Sequence, residues 1–511
     1  MLGGAVGVVW LVLPVMTINS EVPVAATGGG AVAVAGGQGR QDAEGGTSTA
    51  DLVLPLVAVG GVGVLAGYGY VRRTRRARTR TTPGGGVDAG VVSAQPPVSP
   101  LPLLERQAGA SLVQADDCLR TSREELAFVQ ARFGATAVEP FVRALRDAER
   151  ELSAAFAIRL RYDQGVPEED AARRHALAGI VGRCAEAGRR LDAEAPAFDQ
   201  LRALEEELND SLGVAEARFR ELAGRTGGVD ATLAHLHTHH PATATTTVTG
   251  YVEQAKDRLV FATAHLNQAR QAADLGDTGQ AIRDLRAAEG AISQADIFLD
   301  DVGRLANSLA AAAELVPTTL TGAESDLARA TAKSPTGPLR THLAHAHTTL
   351  AAVREELTGD RPHGYDPLAA LRRIVQALLP LGGTRDGVLG AAAWLVGRSD
   401  VDSADGFVAT HRGAVGVAAR TRLAEAELLL STDPAAADVP ALEARELAEQ
   451  DVRVHGNPYA GAADEHTSGV GGAVLGGILL GGILLGEDPD GGPPLCFGGP
   501  ATRKRRGVPP T

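Results

Sequence analysis

The chain has 511 residues, length for about two to four ordinary domains, yet aromatics make up only 4% while Ala, Leu, Arg and Glu dominate its middle. This composition excludes a wide aromatic core and points to helices packed through small and medium aliphatic side chains. A net charge of −13 with both signs interspersed excludes a nucleic-acid-binding face, and Cys118, Cys184 and Cys496 stand at spacings that exclude a disulfide framework or zinc knuckle.

Residues 1–17 (MLGGAVGVVWLVLPVMT) form an apolar segment with no basic residue before Arg40. It reads as a signal-like sequence or a first membrane helix, to be cleaved or to span. Residues 18–51 are a Gly-rich extracytoplasmic linker, too short to hold a folded domain. Residues 52–71 (LVLPLVAVGGVGVLAGYGYV) are the predicted transmembrane helix. About 20 uncharged residues at a rise of about 1.5 Å span a hydrocarbon core of roughly 30 Å. Tyr68 and Tyr70 sit at its end, where amphipathic rings favour the interface. Arg72, Arg73, Arg75, Arg76, Arg78 and Arg80 follow at once, a cluster that resists translocation. A Pro/Gly linker completes residues 72–102. The expectation is a cell-membrane protein, single-pass or two-pass, with the bulk of the chain cytoplasmic and the lipid bilayer as a partner.

Residues 103–455 carry helical periodicity. Stripes run through Val138, Phe141, Leu145, Ala148, Leu152 and Ala155, then through Leu177, Ile180, Cys184, Ala187 and Leu191. Beyond Pro196 a third takes Leu201, Leu204, Leu208, Leu212, Ala215, Phe219 and Leu222. The clearest seam is Val252, Ala255, Leu259, Ala262, Leu266, Ala269 and Ala273, whose steps alternate three and four as in a heptad repeat. DLGDTG (274–279) interrupts it with turn residues. A second seam follows through Leu285, Ile292, Leu299, Val302 and Leu309, with small Ala residues between, which predicts an antiparallel hairpin. Breaks are predicted at Gly134, around Gly165 to Pro167, at Gly227-Gly228 and over 335–338. Residues 381–416, with eight glycines each costing a helix about 1 kcal/mol relative to Ala, are expected to be broken or loosely ordered. The tail, 456–511, is Gly-rich, with an apolar stretch at 469–486 spaced for helix packing and a basic end, Arg503 to Arg506, suited to anionic lipid.

The chemistry-bearing residues give no constellation. His235, His237, His239 and His240, and likewise His342, His345 and His347, lack a carboxylate or cysteine at ligand spacing and read as exposed helix positions. Glu124-Glu125, Glu168-Glu169 and Glu355-Glu356 read as solvated faces. No P-loop, nucleophile elbow, HExxH or dinucleotide fingerprint occurs, so neither catalytic residue, metal nor cofactor is expected.

Several phrases carry a resemblance. DLVLPLVAVGGVGVLAGYGYVRRTRRARTRTTPGGG (51–86), YVEQAKDRLVFATAHLNQARQAADLGD (251–277), LRAAEGAISQAD (285–296), RGAVGVAARTRLAEAE (412–427), LAEQDVRVHGNPYAG (447–461) and the Gly/Leu-rich run before residue 487 together resemble the TPM-domain-containing membrane proteins of actinobacteria. The resemblance implies a signal peptide, an extracytoplasmic TPM domain with phosphatase-like or metal-binding activity, one membrane helix, and a cytoplasmic coiled coil. No residue ahead of position 52 matches the TPM domain, so on this reading the domain is missing and none of its functional residues carries over.

The fold expected is therefore mainly α: a membrane helix, then a long Ala-rich antiparallel coiled-coil or helical-hairpin region, with disordered Gly/Pro-rich linkers and tail. The function expected is a membrane-anchored helical scaffold without catalysis, working through protein partners or self-association. The alternative is a truncated TPM-family enzyme.

Overall fold

Glycine and proline divide the body into helices, and the divisions follow local backbone chemistry. The computed structural model describes residues 99–333, 337–359, 364–381, 387–455 and 494–507, all within the unit Gln95–Thr511. Helix α1 (Leu101–Phe133) is parted from α2 (Ala135–Gln164) by Gly134 at φ +81°, a left-handed conformation open to glycine because it lacks a Cβ. Helix α3 (Asp170–Arg202) ends at Ala203, which takes the left-handed region at φ 43°. Then come α4 (Leu208–His239), short helical turns over 242–248, and α5 (Tyr251–Asp274). A three-residue turn leads to α6 (Thr278–Ala332), whose start is capped by Asp277 accepting from the Gln280 N–H at 3.0 Å. Helices α7 (Pro338–Thr358), α8 (Pro367–Leu378), α9 (Gly387–Thr410), α10 (Val417–Thr432) and α11 (Pro434–Val454) complete the body, and α12 (Pro500–Arg505) lies near the C-terminus. The described residues are helical and contain no strand.

Four cores follow in chain order. Helices α1, α2 and α3 pack around Leu112, Leu152, Ile180 and Leu191. Helices α4 and α5 pack on the first half of α6; Val252, Ala255, Leu259, Ala262, Leu266, Leu285, Ile292, Leu299 and Val302 all lie in that core, none more than 6% exposed. The second half of α6 passes into a third core with α7, α8 and α9, where Leu309 is buried. With 55 residues, and so roughly 80 Å long, α6 is the spine that joins two cores. Helices α9, α10 and α11 form the fourth around Val408, Leu423 and Ala444.

The structure departs from the sequence expectations in several places. Gly227-Gly228 do not end a helix: α4 runs through them. Two glycines cost about 2 kcal/mol, and burying Leu222, Leu233 and Leu236 at about 2 kcal/mol each outweighs this. Pro196 likewise lies inside α3. Residues 387–410, expected to be broken, are helical. The glycines there permit close packing: a Cβ on Gly397 would stand 2.9 Å from the Pro434 carbonyl, and Gly406 lies against the Asp301 carboxylate.

The membrane placement is also corrected. Among the described residues no helix is long and apolar enough to cross a membrane, which overturns the expected single-pass localisation. The long helices carry charged faces; α6 alone includes Asp284, Glu289, Asp296, Asp300 and Asp301. The apolar segments 1–17, 52–71 and 469–486, and the arginines from Arg72 to Arg80, lie outside the described residues.

Candidate functional site

One stretch of α1, ADDCLRTSREEL (115–126), breaks the rule that a helix turns its polar face to water. Asp117, Thr121, Ser122 and Glu125 are at most 1% exposed, and Asp116 and Arg120 are buried too. Helix α1 is covered on several sides, by α3, by the α9–α10 turn and by the C-terminal segment, so each of these groups must be satisfied within the protein.

The C-terminal segment provides much of that cover. Leu495, Cys496 and Phe497 are wholly buried. Leu495 belongs to the α4–α6 core and Phe497 to the α1–α3 core, so three consecutive residues staple two cores together. Phe497 stacks on Phe198 with ring centroids 4.2 Å apart and meets Phe141 edge-on at 5.7 Å. The backbone is read as well: Leu495 N–H donates to the Arg286 carbonyl at 3.2 Å and Gly498 N–H to Ser122 Oγ at 3.1 Å. Phe497 N–H donates to Glu125. Asp192 on α3 accepts from Thr502 N–H at 2.9 Å and from Ala501 N–H at 3.3 Å, at the start of α12.

Glu125 is the centre of this seat. It receives Arg202, which also binds Glu289, and it stands 3.7 Å from Arg286 and 3.9 Å from Arg506. Arg506 reaches back to the Phe497 carbonyl at 3.2 Å and outward to Asp199. Burial, with Arg286 and Arg506 nearby, holds the Arg202 guanidinium below its usual range despite the opposing pull of Glu289. Arg503, read from sequence as part of a basic end suited to anionic lipid, is buried and donates to Thr121 Oγ1 at 2.8 Å.

A second arm enters from the turn between α9 and α10. Arg412 forks onto Glu124 at 2.7 and 2.8 Å. Arg420 binds Asp116 and Asp117 and donates to the carbonyls of Val415 at 3.1 Å and Arg412 at 2.7 Å, which pins the turn. Burial pushes the Asp116 carboxyl up, but Arg120 and Arg420 outweigh it and hold it below the ordinary carboxylate range. A cleft of about 360 Å³ opens beside Asp116, Arg120, Arg123, Glu149, Asp405 and Arg420. Its guanidiniums are already bound to carboxylates, Arg120 to Asp116 and Asp405, Arg123 to Glu149, so the cleft has little unspent positive charge with which to recruit an anion.

A further ionic cluster lies between α8, α9 and α11. Arg372 binds both oxygens of Asp400 at 2.7 and 2.8 Å and Asp438 at 2.9 Å. Burial and the hydrogen bond shared with Asp438 push the Asp400 carboxyl up to about 8, against the pull of Arg372. An acid whose folded value exceeds its unfolded one (about 3.9) binds its proton more tightly when folded, so its contribution to stability falls as pH rises from about 4 to about 8. Replacing Asp400 with Asn is therefore expected to flatten this fall, so that stability changes less between pH 5 and pH 8 in the variant than in wild type. Urea midpoints at pH 5, 6.5 and 8 check it. Buried His411, pulled down to about 4 by burial, loses stability in the opposite direction as pH falls from about 6.5, so the difference between the two proteins isolates Asp400.

Glu124 and Glu125, read from sequence as a solvated pair, are thus the centres of the two arms. A signal that points to Glu124, and to Asp116 and Asp117 on the same helix, lies elsewhere in the chain: Arg412 and Arg420 stand isolated in the small, apolar run RGAVGVAAR and need buried carboxylates. Glu168, Glu169 and Glu355 are exposed, and Glu356 pairs with Arg373. His235, His237 and His239 lie exposed at the end of α4, and His342, His345 and His347 lie exposed on α7. Among the described residues no group of three or more His, Cys, Asp or Glu side chains is placed to hold a metal ion. The three cysteines are free and buried, and burial pushes the thiols of Cys118 and Cys184 up to about 12, which leaves them unreactive.

Over 406 residues the chain is 31% identical to UPF0603 protein MT2410 and to UPF0603 protein Rv2345, from two strains of Mycobacterium tuberculosis, and the homology takes in 74% of this chain. The chain spans 62% of the length of these relatives. No family model matches it, and no solved structure does.

Proposed function

We propose that this chain is a helical scaffold and interaction protein without catalysis of its own, and that the groove of α1 and α3 is a peptide-binding site occupied by the C-terminal segment. The observation that carries the reading is the seating of residues 495–499, which are buried and held through both backbone and side chains, as an extended ligand is held in a groove. Helices α5 and α6, with their heptad seams, form the coiled-coil hairpin against which the scaffold is built. Cutting the full-length protein at a protease site introduced within residues 456–493 tests the groove. The expected result is a C-terminal fragment that stays bound through gel filtration and is displaced by excess synthetic peptide 494–507. A fragment that separates at once from a body still fully helical by circular dichroism counts against the reading.

A second reading rests on the quoted phrases that resemble TPM-domain proteins. The aligned relatives have length beyond the matched part for a further domain. Phosphatase or metal-binding activity would reside there, and hydrolysis of p-nitrophenyl phosphate by a full-length relative, but not by its part aligned with this chain, would favour this reading.

A further inference from the structure

We infer that the groove on α1 and α3 also accepts residues 494–507 of a second copy of the chain, so that copies exchange their C-terminal segments. The inference rests on the peptide-site reading and names the partner. Three observations carry it.

The seat is selective for this sequence. Gly498 takes φ +133°, a conformation that L side chains rarely adopt, and Gly499 packs directly on the Gly188 carbonyl with no room for a Cβ. Gly188 in turn must lack a side chain, since a Cβ there would stand 2.7 Å from Pro500 Cδ. A ligand for this groove is thus an aromatic residue followed by Gly-Gly-Pro and then arginines, a pattern that every copy of this chain carries at 497–506.

The segment is joined to the body through a long stretch of chain. Residues 456–493, 38 in number, separate it from the end of α11. That end is held close by, because Asp451 accepts from Gly416 N–H at 2.8 Å and neighbouring Arg420 meets Asp116 and Asp117 on α1, whose next turn holds the segment. Thirty-eight residues span at most about 130 Å, far more than an intramolecular closure between neighbouring elements requires.

Exchange conserves every contact. The same Phe497 slot and the same Glu125 and Asp199 partners are filled whichever copy supplies the segment, and the acidic groove complements the basic Arg503–Arg506 end. What favours closure within one copy is only the effective concentration set by the tether, on the order of millimolar. Closed copies dominate at micromolar concentration, and exchange takes over when copies are crowded or when closure within each is blocked.

Two full-length variants remove closure from both sides. In Phe497→Ala the segment is spoiled and the groove left vacant; in Gly188→Leu the groove is blocked and the segment left intact. Each alone is expected to sediment as a monomer with normal helical circular dichroism. Mixed at tens of micromolar, they are expected to form a one-to-one complex that excess peptide 494–507 dissociates. If the mixture stays monomeric while Phe497→Ala binds the free peptide, exchange is overturned and the peptide site survives. If Phe497→Ala binds neither, both readings fall. Should either variant lose its helical signal, wild-type protein at about 1 mM decides: a dimer that the peptide dissociates supports exchange, and a monomer overturns it.

Discussion

Replacing Glu125 with alanine is expected to cost about 3–5 kcal/mol of folding stability and to free residues 494–507 from the body. The carboxylate is completely buried, accepts from Arg202 and from the Phe497 N–H, and faces Arg286 and Arg506 at 3.7 and 3.9 Å. Its removal leaves several buried cationic groups facing one another with only Glu289 and Asp199 to compensate. That is the costly way to break a buried ion cluster, since the remaining charges are neither solvated nor paired. Urea denaturation measures the first effect. Gel filtration after cleavage at a protease site introduced within residues 456–493 measures the second, because a freed fragment separates from the body. Glu253, exposed on α5, provides the control, and its alanine variant is expected to stay within about 0.5 kcal/mol of wild type. A Glu125→Ala protein as stable as that control would show that the segment does not depend on this carboxylate.

The second large effect is expected at Arg420. Its alanine variant should also lose about 3–5 kcal/mol, because Asp116 and Asp117 stay buried while two carbonyls of the 412–416 turn lose their donor. Lysine should recover only part of this, since a point charge cannot serve two carboxylates and two carbonyls as the guanidinium fork does. The loss should also depend on pH in a stated direction. Asp116 is held below its ordinary value in the wild type, so its stabilisation is present above about pH 4 and is lost in acid as pH falls through the lowered folded value. Without Arg420 that stabilisation shrinks, and the gap between the two proteins should narrow as pH drops from 7 towards 3. Thermal midpoints across that range check it; a gap constant with pH would assign the loss to packing rather than to the ion pairs.

Both predictions bear on how the proposed scaffold is assembled. Helix α1 comes early in the described chain, yet its central turns bind groups from α3, from the α9–α10 turn and from the C-terminal segment. A hub of this kind makes the ordering of distant parts mutually dependent, and the proposed peptide groove is built from the same residues that close the fold.

The helical character of the chain was legible in its residues, because the three-and-four spacing through Val252, Ala255, Leu259, Ala262 and Leu266 is a local property of one helix face. So was the turn at 275–277, where glycine and a capping aspartate end one helix and begin the next. Other features were decided only by tertiary contact. Glycine propensity predicted breaks at 227–228 and across 381–416, of which 387–410 are helical, but propensity amounts to about 1 kcal/mol per residue, and neighbouring helices that bury leucines on one face or approach a glycine closely outweigh it. The polarity of Glu124 and Glu125 predicted solvent, and the Gly-rich surroundings of Phe497 predicted a free tail. Their partners lie 77 to 381 residues away in the chain, so no local window contains both halves of the interaction. Periodicity reports which face of a helix is apolar; which buried charges find partners is settled only when distant segments meet and desolvate them.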